Sequence, residues 1–341
     1  MNQSIPQTPS EFPLLTDIVQ QKVDPLLLAS LLKAAGDALR LDILRVLSQD
    51  SYGVLELSRL FDTKQSGMSH HLKVLTNAGL LSSRREGNSI FYRRAYLSPE
   101  HSLANLQQQL FATVDEIHLS PDLQQKVEDL RQERNQAAQT FFTENADKFR
   151  AQQDLIASYP VYADQVTNLL NNTLLKNKHL ALEIGPGEGE FLTVLSQQFN
   201  QVIALDNATQ MLEKAKQSAQ TKSLRNIEFI LGDTQSLKVQ KILADCIVVN
   251  MVLHHTASPA DIFVDLSRSL APGGALLICD LCRHEQTWAR EACGDLWQGF
   301  EPQDFSRWAN AAKLDEGQSV YFALRNGFQI QLRQFFKPLN F

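Results

Sequence analysis

Residues 183–189 read EIGPGEG, which sets Glu183 ahead of glycines at 185, 187 and 189. Glycines at alternate positions let a backbone turn sharply beneath a ligand and approach it with no Cβ in the way. Asp206 follows Gly185 by 21 residues and ends an apolar run, where a carboxylate can accept both hydroxyls of a ribose. A dinucleotide site shares this layout but needs a third glycine five residues after its first, beside the pyrophosphate. That position is Glu190, whose charge would oppose phosphates. The pattern therefore points to an acidic, phosphate-free nucleoside site.

A second chemistry lies upstream. Residues 64–94 hold six basic side chains (Lys64, Lys73, Arg84, Arg85, Arg93, Arg94) against one acidic, Glu86. The whole chain is acidic, with formal net charge −6, but residues 1–100 are net +1 and the remainder net −7. A local basic stretch in an acidic protein suggests a phosphate-binding surface, the plainer reading being a solvated face.

These residues must be positioned by two different kinds of element. Residues 25–48 place Leu and Ile at helical spacing, with Gly36 as a break between two helices, and VLELSRLF after Gly53 forms another short turn. Thr63 is expected to cap a helix over QSGMSHHLKVLTNA that ends at Ala78–Gly79. Strands Leu80–Arg85 and Ser89–Arg94 follow, joined by a turn at Glu86–Gly87–Asn88. Helix, turn, helix and basic hairpin make a winged helix-turn-helix, whose second helix enters the major groove while the hairpin follows the backbone. From near residue 150 the pattern changes. Apolar runs at His179–Ile184, Val202–Asp206, Ile227–Leu231, Ala244–Asn250 and Ala275–Asp280 alternate with helices at about 190–199, 208–221 and 259–271. That alternation indicates an α/β, doubly wound parallel sheet, with SVYFALRNGFQIQLRQFF adding an antiparallel hairpin about Asn326–Gly327 at one edge.

Between them, residues 99–150 carry a narrow stripe of Leu103, Leu106, Leu110, Val114 and Ile117, then a second helix from Pro121 striped by Leu123, Val127 and Leu130. Such a stripe is either a dimer seam or a helix packed on its own domain; the dimer is the favoured expectation. The domain plan is thus 1–24 an arm, 25–98 DNA-binding, 99–150 dimerisation or linker, and 151–341 nucleoside-binding.

The run SGMSHHLKVLTNAGLLSSRREGNSIFYR, within residues 28–96, resembles the recognition helix and wing of the ArsR-type winged-helix repressors. The resemblance implies that Gln65, Ser66, Ser69 and His70 face bases and nearby phosphates. Lys73, Arg84 and Arg85 would meet phosphates and Tyr92 would pack the wing; for His71 the plainer reading, a structural residue of the helix and not a DNA contact, is preferred. It also implies a homodimer on a palindromic operator. Metal-sensing members carry a cysteine pair just before this motif, whereas this chain reads YGVLEL at 52–57 and has no thiolate there.

Four motifs in order over about residues 140–341 are similar to the class I S-adenosylmethionine (SAM)-dependent methyltransferases: ExGxGxG at 183–189, Asp206, Gly232–Asp233, and NMVLH from Asn250. Carried onto this chain, Gly185 and Gly187, within the Glu183–Gly189 motif, border the methionine part of the ligand, and Asp206 holds the ribose. Asp233 takes the adenine amino group beside Thr234, and Met211 packs on adenine or belongs to the core. His254 and His255 lie over the sulfonium, as a general base or, preferably, as polar lid residues. The segment from His284 onward, HEQTWAREACGDLWQGF and the edge hairpin, is similar to fused ArsR–methyltransferase proteins, in particular S-adenosylhomocysteine (SAH)-responsive regulators of the methionine cycle.

The length of 341 residues fits about two domains, at a typical ~150 residues each. At 43% hydrophobic and 21% charged the composition is that of a folded globular chain. The longest apolar candidate, 244–253, is interrupted by Asp245 and Asn250, so no membrane span is expected. Four cysteines and no basic-apolar leader suit the cytoplasm. Cys279 and Cys282 form a lone CxxC, read as core and rim, and no metal site is expected. Three functions stay open: a SAM- or SAH-responsive repressor, an active small-molecule methyltransferase with an autoregulatory DNA-binding domain, and an enzyme that uses its winged domain only to dimerise.

Overall fold

The computed structural model describes residues 23–48, 50–86, 89–98, 100–145 and 148–339. Most of the N-terminal arm, and Gly87 and Asn88 of the wing turn, lie outside the described residues.

The first domain contains α1 (Pro25–Ala35), α2 (Ala38–Val46), β1 (Tyr52–Gly53), α3 (Val54–Leu60), α4 (Gln65–Asn77), β2 (Leu81–Glu86) and β3 (Ser89–Arg94). The strands pair antiparallel in the order β1-β3-β2. Met68, Leu72 and Leu75 form the buried face of α4, at the spacing an amphipathic helix requires. Its start departs from the sequence reading. Lys64 occupies the cap position without a side-chain cap, because Thr63 Oγ1 turns back to donate to the Phe61 carbonyl at 2.9 Å. Its end agrees: Gly79, φ +70°, reverses the chain in the left-handed region.

The linking helices are α5 (Ala104–Asp115) and the 25-residue α6 (Pro121–Asn145). Leu103, Phe111, Val114, Leu123 and Leu130 are buried in the same core as Ile43, Leu57, Met68 and Leu72. The stripe expected to form a dimer seam is thus packed on its own domain, and only Leu106 of it is exposed. Arg94 reinforces this junction from inside, bonding the Leu44 carbonyl at 2.8 Å and Asp115 at 2.8 Å while lying over the Phe111 ring.

The second domain follows with α7 (Phe149–Ile156), α8 (Tyr159–Asn172), β4 (Leu180–Ile184), α9 (Leu192–Gln198), β5 (Gln201–Asp206), α10 (Thr209–Thr221), β6 (Ile227–Leu231), α11 (Thr234–Val239) and β7 (Ala244–Asn250). After a single 3-10 turn (Leu253–His255) come α12 (Pro259–Ser269), β8 (Leu270–Leu281), α13 (Trp288–Cys293), α14 (Pro302–Ala311), β9 (Asp315–Ala323) and β10 (Gln329–Phe336). The seven strands run β6-β5-β4-β7-β8-β10-β9. The first five are parallel, and β10 and β9 add an antiparallel hairpin at the edge. Alternate residues of β7 enter different cores, Ile247 and Val249 on one face, Cys246 and Val248 on the other. Both faces are covered, which is why these strands read as continuous apolar runs. Strand order reverses between β4 and β7, and a doubly wound sheet opens its ligand crevice at that point.

Candidate ligand cavity and nucleic-acid face

A cavity of about 760 Å³ opens at the carboxyl ends of β4, β5, β6 and β7. Its wall includes Glu183, Gly185, Gly187, Asp206, Met211, Gly232, Asp233, Thr234, Asn250 and His255, so ten of the residues singled out from sequence meet in one place. Gly185 has φ +62°, and a Cβ there would lie 2.6 Å from Val252. A Cβ on Gly187 would meet nothing within 4 Å, so the chain is bare where it faces the cavity.

Two sequence expectations fail locally. Gly189 is absent from the cavity wall; a Cβ there would meet Ala215 of α10 at 3.1 Å, so this glycine permits helix packing. His254 also lies behind the wall, fully buried, its Nδ1 2.8 Å from Asp280. His255 does reach the cavity, with Nε2 2.9 Å from the Gln153 amide and its ring against Phe142.

The electrostatics of the wall favour a ligand that is cationic at one end. Glu183 is 2% exposed, and its Oε2 and both amide atoms of Asn250 have no hydrogen-bond partner. Burial pushes the Glu183 carboxyl up to about 8, and the neighbouring Asn250 amide offsets only part of this. Unpaired buried polar atoms aimed into a cavity are costly unless a ligand satisfies them. Asp206 is raised to about 6 by burial, opposed by the backbone N–H groups of Ala208, at 2.8 Å, and Asn207. Asp233 accepts from Ser236 N at the start of α11, and Thr234 donates to Asp265 at 2.8 Å.

The roof of the cavity lies outside the sequence motifs. Arg131, Gln139 and Phe142 of α6 and Gln153 of α7 line the cavity, so the linker assigned to 99–150 also belongs to the site. Gln139 donates to the Asn207 carbonyl at 2.8 Å, fastening α6 to the loop beside Asp206. One signal was available: the apolar stripe of α6 stops at Leu130 and gives way to polar residues before Phe141–Phe142.

On α4, Gln65, Ser66, His70 and Lys73 are exposed, while Ser69 and His71 are half-buried. The basic stretch divides. Arg85 is exposed, but Arg84 is half-buried and donates to the Gly299 carbonyl of the second domain at 3.0 Å. Burial, with Arg93 and Arg283 nearby, pushes its guanidinium down to about 10. Arg93 pairs with Asp304 at 2.5 Å, and Phe91 packs on Trp297. The expectation that Arg84 faces phosphate is therefore not met in this conformation, because one edge of the wing docks on the second domain.

Fold and cavity define a two-domain protein, a winged helix-turn-helix joined to a Rossmann-like methyltransferase fold. The arsR family of bacterial regulatory proteins matches over residues 37–83, and the methyltransferase domain matches over residues 182–278. The chain belongs to the arsR family through its DNA-binding domain and carries a methyltransferase domain. A biofilm growth-associated repressor of Agrobacterium fabrum is 38% identical over 84 residues, covering 25% of this chain and 68% of the repressor. A malonyl-(acyl-carrier protein) O-methyltransferase of Marinomonas sp. is 32% identical over 130 residues, 36% of this chain and 47% of that enzyme. The match thus spans less than half of that relative's length. Among solved structures, the YcgJ protein of Bacillus subtilis is similar over 51% of this chain and 99% of its own, with 17% identity and a TM-score of 0.44. No described helix is long and apolar enough to cross a membrane.

Proposed function

We infer that this chain is a transcriptional repressor whose methyltransferase-fold domain binds SAH or SAM as effector, controlling genes of the methionine and SAM cycle. The observation that carries the reading is α6. Leu123 and Leu130 anchor it in the winged-helix core, and Arg131, Gln139 and Phe142 of the same helix roof the cavity. A ligand that moves the roof can therefore act on the DNA-binding domain through this one continuous helix.

Within the cavity, the amino group of the effector's methionine part meets Glu183 and Asn250, and the ribose hydroxyls meet Asp206. Asp233 and Thr234 border the base with Met211. On the other domain, Gln65, Ser66, Ser69 and His70 read bases, and Lys73 and Arg85 meet phosphates. The chain works in the cytoplasm as a homodimer on a palindromic operator. With the α5 stripe buried within the chain, the dimer surface is carried by α1, where Leu26, Leu27 and Leu32 are 79%, 49% and 53% exposed.

A second reading is catalytic methyl transfer to a small acceptor, with the DNA-binding domain autoregulatory. Tyr159, Tyr162 and His255 line the cavity and are not claimed by the nucleoside assignment. Operator binding measured by gel shift over SAH and SAM series separates the two. A dissociation constant raised about 5–150-fold by SAH, the span of typical coupling energies, supports the sensor. Indifference to both ligands, with methyl transfer to a small acceptor, supports the enzyme.

A further inference from the structure

We propose that His254 Nε2, His255 Nδ1 and a carboxylate oxygen of Asp295 form a binding site for one divalent first-row transition-metal ion of the zinc class, behind the cavity wall. This is independent of the effector reading and runs against the expectation of no metal.

The three side chains are buried, at 0%, 6% and 1% exposure, and their donor atoms lie within 4.8 Å of one another. His255 Nδ1 is 3.6 Å and His254 Nε2 is 3.9 Å from Asp295 Oδ1. Both separations exceed a hydrogen bond. Ligands of a tetrahedral ion at bonds of ~2.0–2.2 Å stand about 3.3–3.6 Å apart, so the two separations to Asp295 are within tenths of an ångström of that spacing, and the two imidazole nitrogens, within 4.8 Å of each other, must close on the ion as it binds. His254 Nε2 and both Asp295 oxygens have no hydrogen-bond partner. A buried carboxylate with neither oxygen paired is costly, and a cation between it and two imidazoles removes the cost. His255 Nδ1 also lies 3.3 Å from the Gly294 carbonyl, a long contact that the ion would replace.

The surroundings are those a metal-bound histidine needs. His254 Nδ1 is 2.8 Å from Asp280 Oδ1, fixing the tautomer that offers Nε2 to the ion. Asp280 is held in turn by the backbone N–H groups of Leu253 at 2.9 Å and Leu281 at 2.7 Å. His255 Nε2 lies 2.9 Å from the Gln153 amide nitrogen, so freeing Nδ1 for the ion requires that this amide turn over and present its oxygen to a protonated Nε2. Two imidazoles and one carboxylate suit zinc-class ions better than magnesium or calcium, which prefer all-oxygen sets. Asp295 follows Gly294 at the end of α13, and the His254 carbonyl accepts from Leu296 and Trp297. An ion here would staple the loop after β7 to the loop carrying Trp297, which packs on the wing.

The test uses tag-free, full-length protein stripped with chelator, then dialysed against Zn²⁺ and counted by elemental analysis, with Co²⁺ absorption as a spectroscopic probe. One ion per chain is expected, with visible d–d bands of low-symmetry Co²⁺ that Zn²⁺ displaces. H254Q and D295N should abolish binding, D280N should weaken it about 10–100-fold, and H70Q should leave it unchanged. Circular dichroism checks folding. If D295N fails to fold, H254Q, which swaps the ring for a neutral amide, carries the test. Wild-type protein that takes up no ion would overturn the site, in favour of a bridging water. So would an ion retained by H254Q.

Discussion

Arg131 Nη2 lies 3.3 Å from Asp50 Oδ2 while its Nη1 lies 2.8 Å from Asp261 Oδ2, so one guanidinium on α6 ties both domains together at the edge of the cavity. Asp50 belongs to the winged-helix domain, is 5% exposed, and also accepts from Ser258 Oγ of the second domain at 2.9 Å. A few residues along α6, Arg134 pairs with Glu56 at 2.7 Å. These ion pairs connect α6 to both domains, whereas the Leu103–Ile117 stripe packs within the winged-helix core.

Arg131→Gln should cost about 1.5–3 kcal/mol of stability, because it leaves the Asp50 carboxylate buried with fewer partners. Denaturant unfolding checks it. Asp50→Asn added to Arg131→Gln should cost less than the sum of the two single changes. If the sensor reading holds, Arg131→Gln also leaves operator affinity nearly indifferent to SAH while SAH binding persists. An additive double mutant would show that the pair is not coupled.

Glu183 makes apo stability depend on pH. Folding raises its carboxyl from 4.5 to about 8, so the folded chain holds a proton that the unfolded chain releases. This contribution is most favourable below pH 4.5 and is lost as pH rises towards 8, at about 1.4 kcal/mol per unit. Glu183→Gln should flatten that part of the profile. Binding of a ligand ammonium should release a proton near neutral pH, seen as buffer-dependent calorimetric heat. Identical profiles for the two proteins would remove Glu183 from this role.

Asp206→Ala should weaken SAM and SAH binding by about 1.5–3 kcal/mol, the range for hydrogen bonds involving a charged group. Gly185→Ala should weaken it as much or more, since the new Cβ meets Val252 at 2.6 Å at a φ of +62°. Isothermal titration measures both. Wild-type affinity in Asp206→Ala would place the ribose elsewhere.

Arg85→Ala should lower the salt slope of DNA binding by about one unit on every sequence. Arg84→Ala should lower it less, since its guanidinium is bonded to the Gly299 carbonyl. Ser69→Ala or His70→Ala should instead narrow the difference between operator and random duplex. Binding curves over a salt series distinguish these cases, and an equal slope change for Arg84 and Arg85 would mean that the wing undocks on DNA.

The sequence by itself determined what depends on short range. Continuous apolar runs specify strands covered on both faces, helical periodicity specifies the winged helix, and EIGPGEG with Asp206 marks the ligand crevice because strand ends and tight turns have local requirements. Only the tertiary structure decided where side chains of ambiguous destiny point. Arg84, Arg85, Arg93 and Arg94 look alike in sequence, yet Arg93 pairs with Asp304, Arg94 is buried on Asp115 and Arg85 faces outward. The stripe on α5 could have met a second chain or its own, and within this chain it packs on α2. His254 and His255 are adjacent in a turn of about three residues, so their directions differ by roughly a third of a circle. One lines the cavity and the other is sealed against Asp280, a division set by long-range packing that no local pattern encodes.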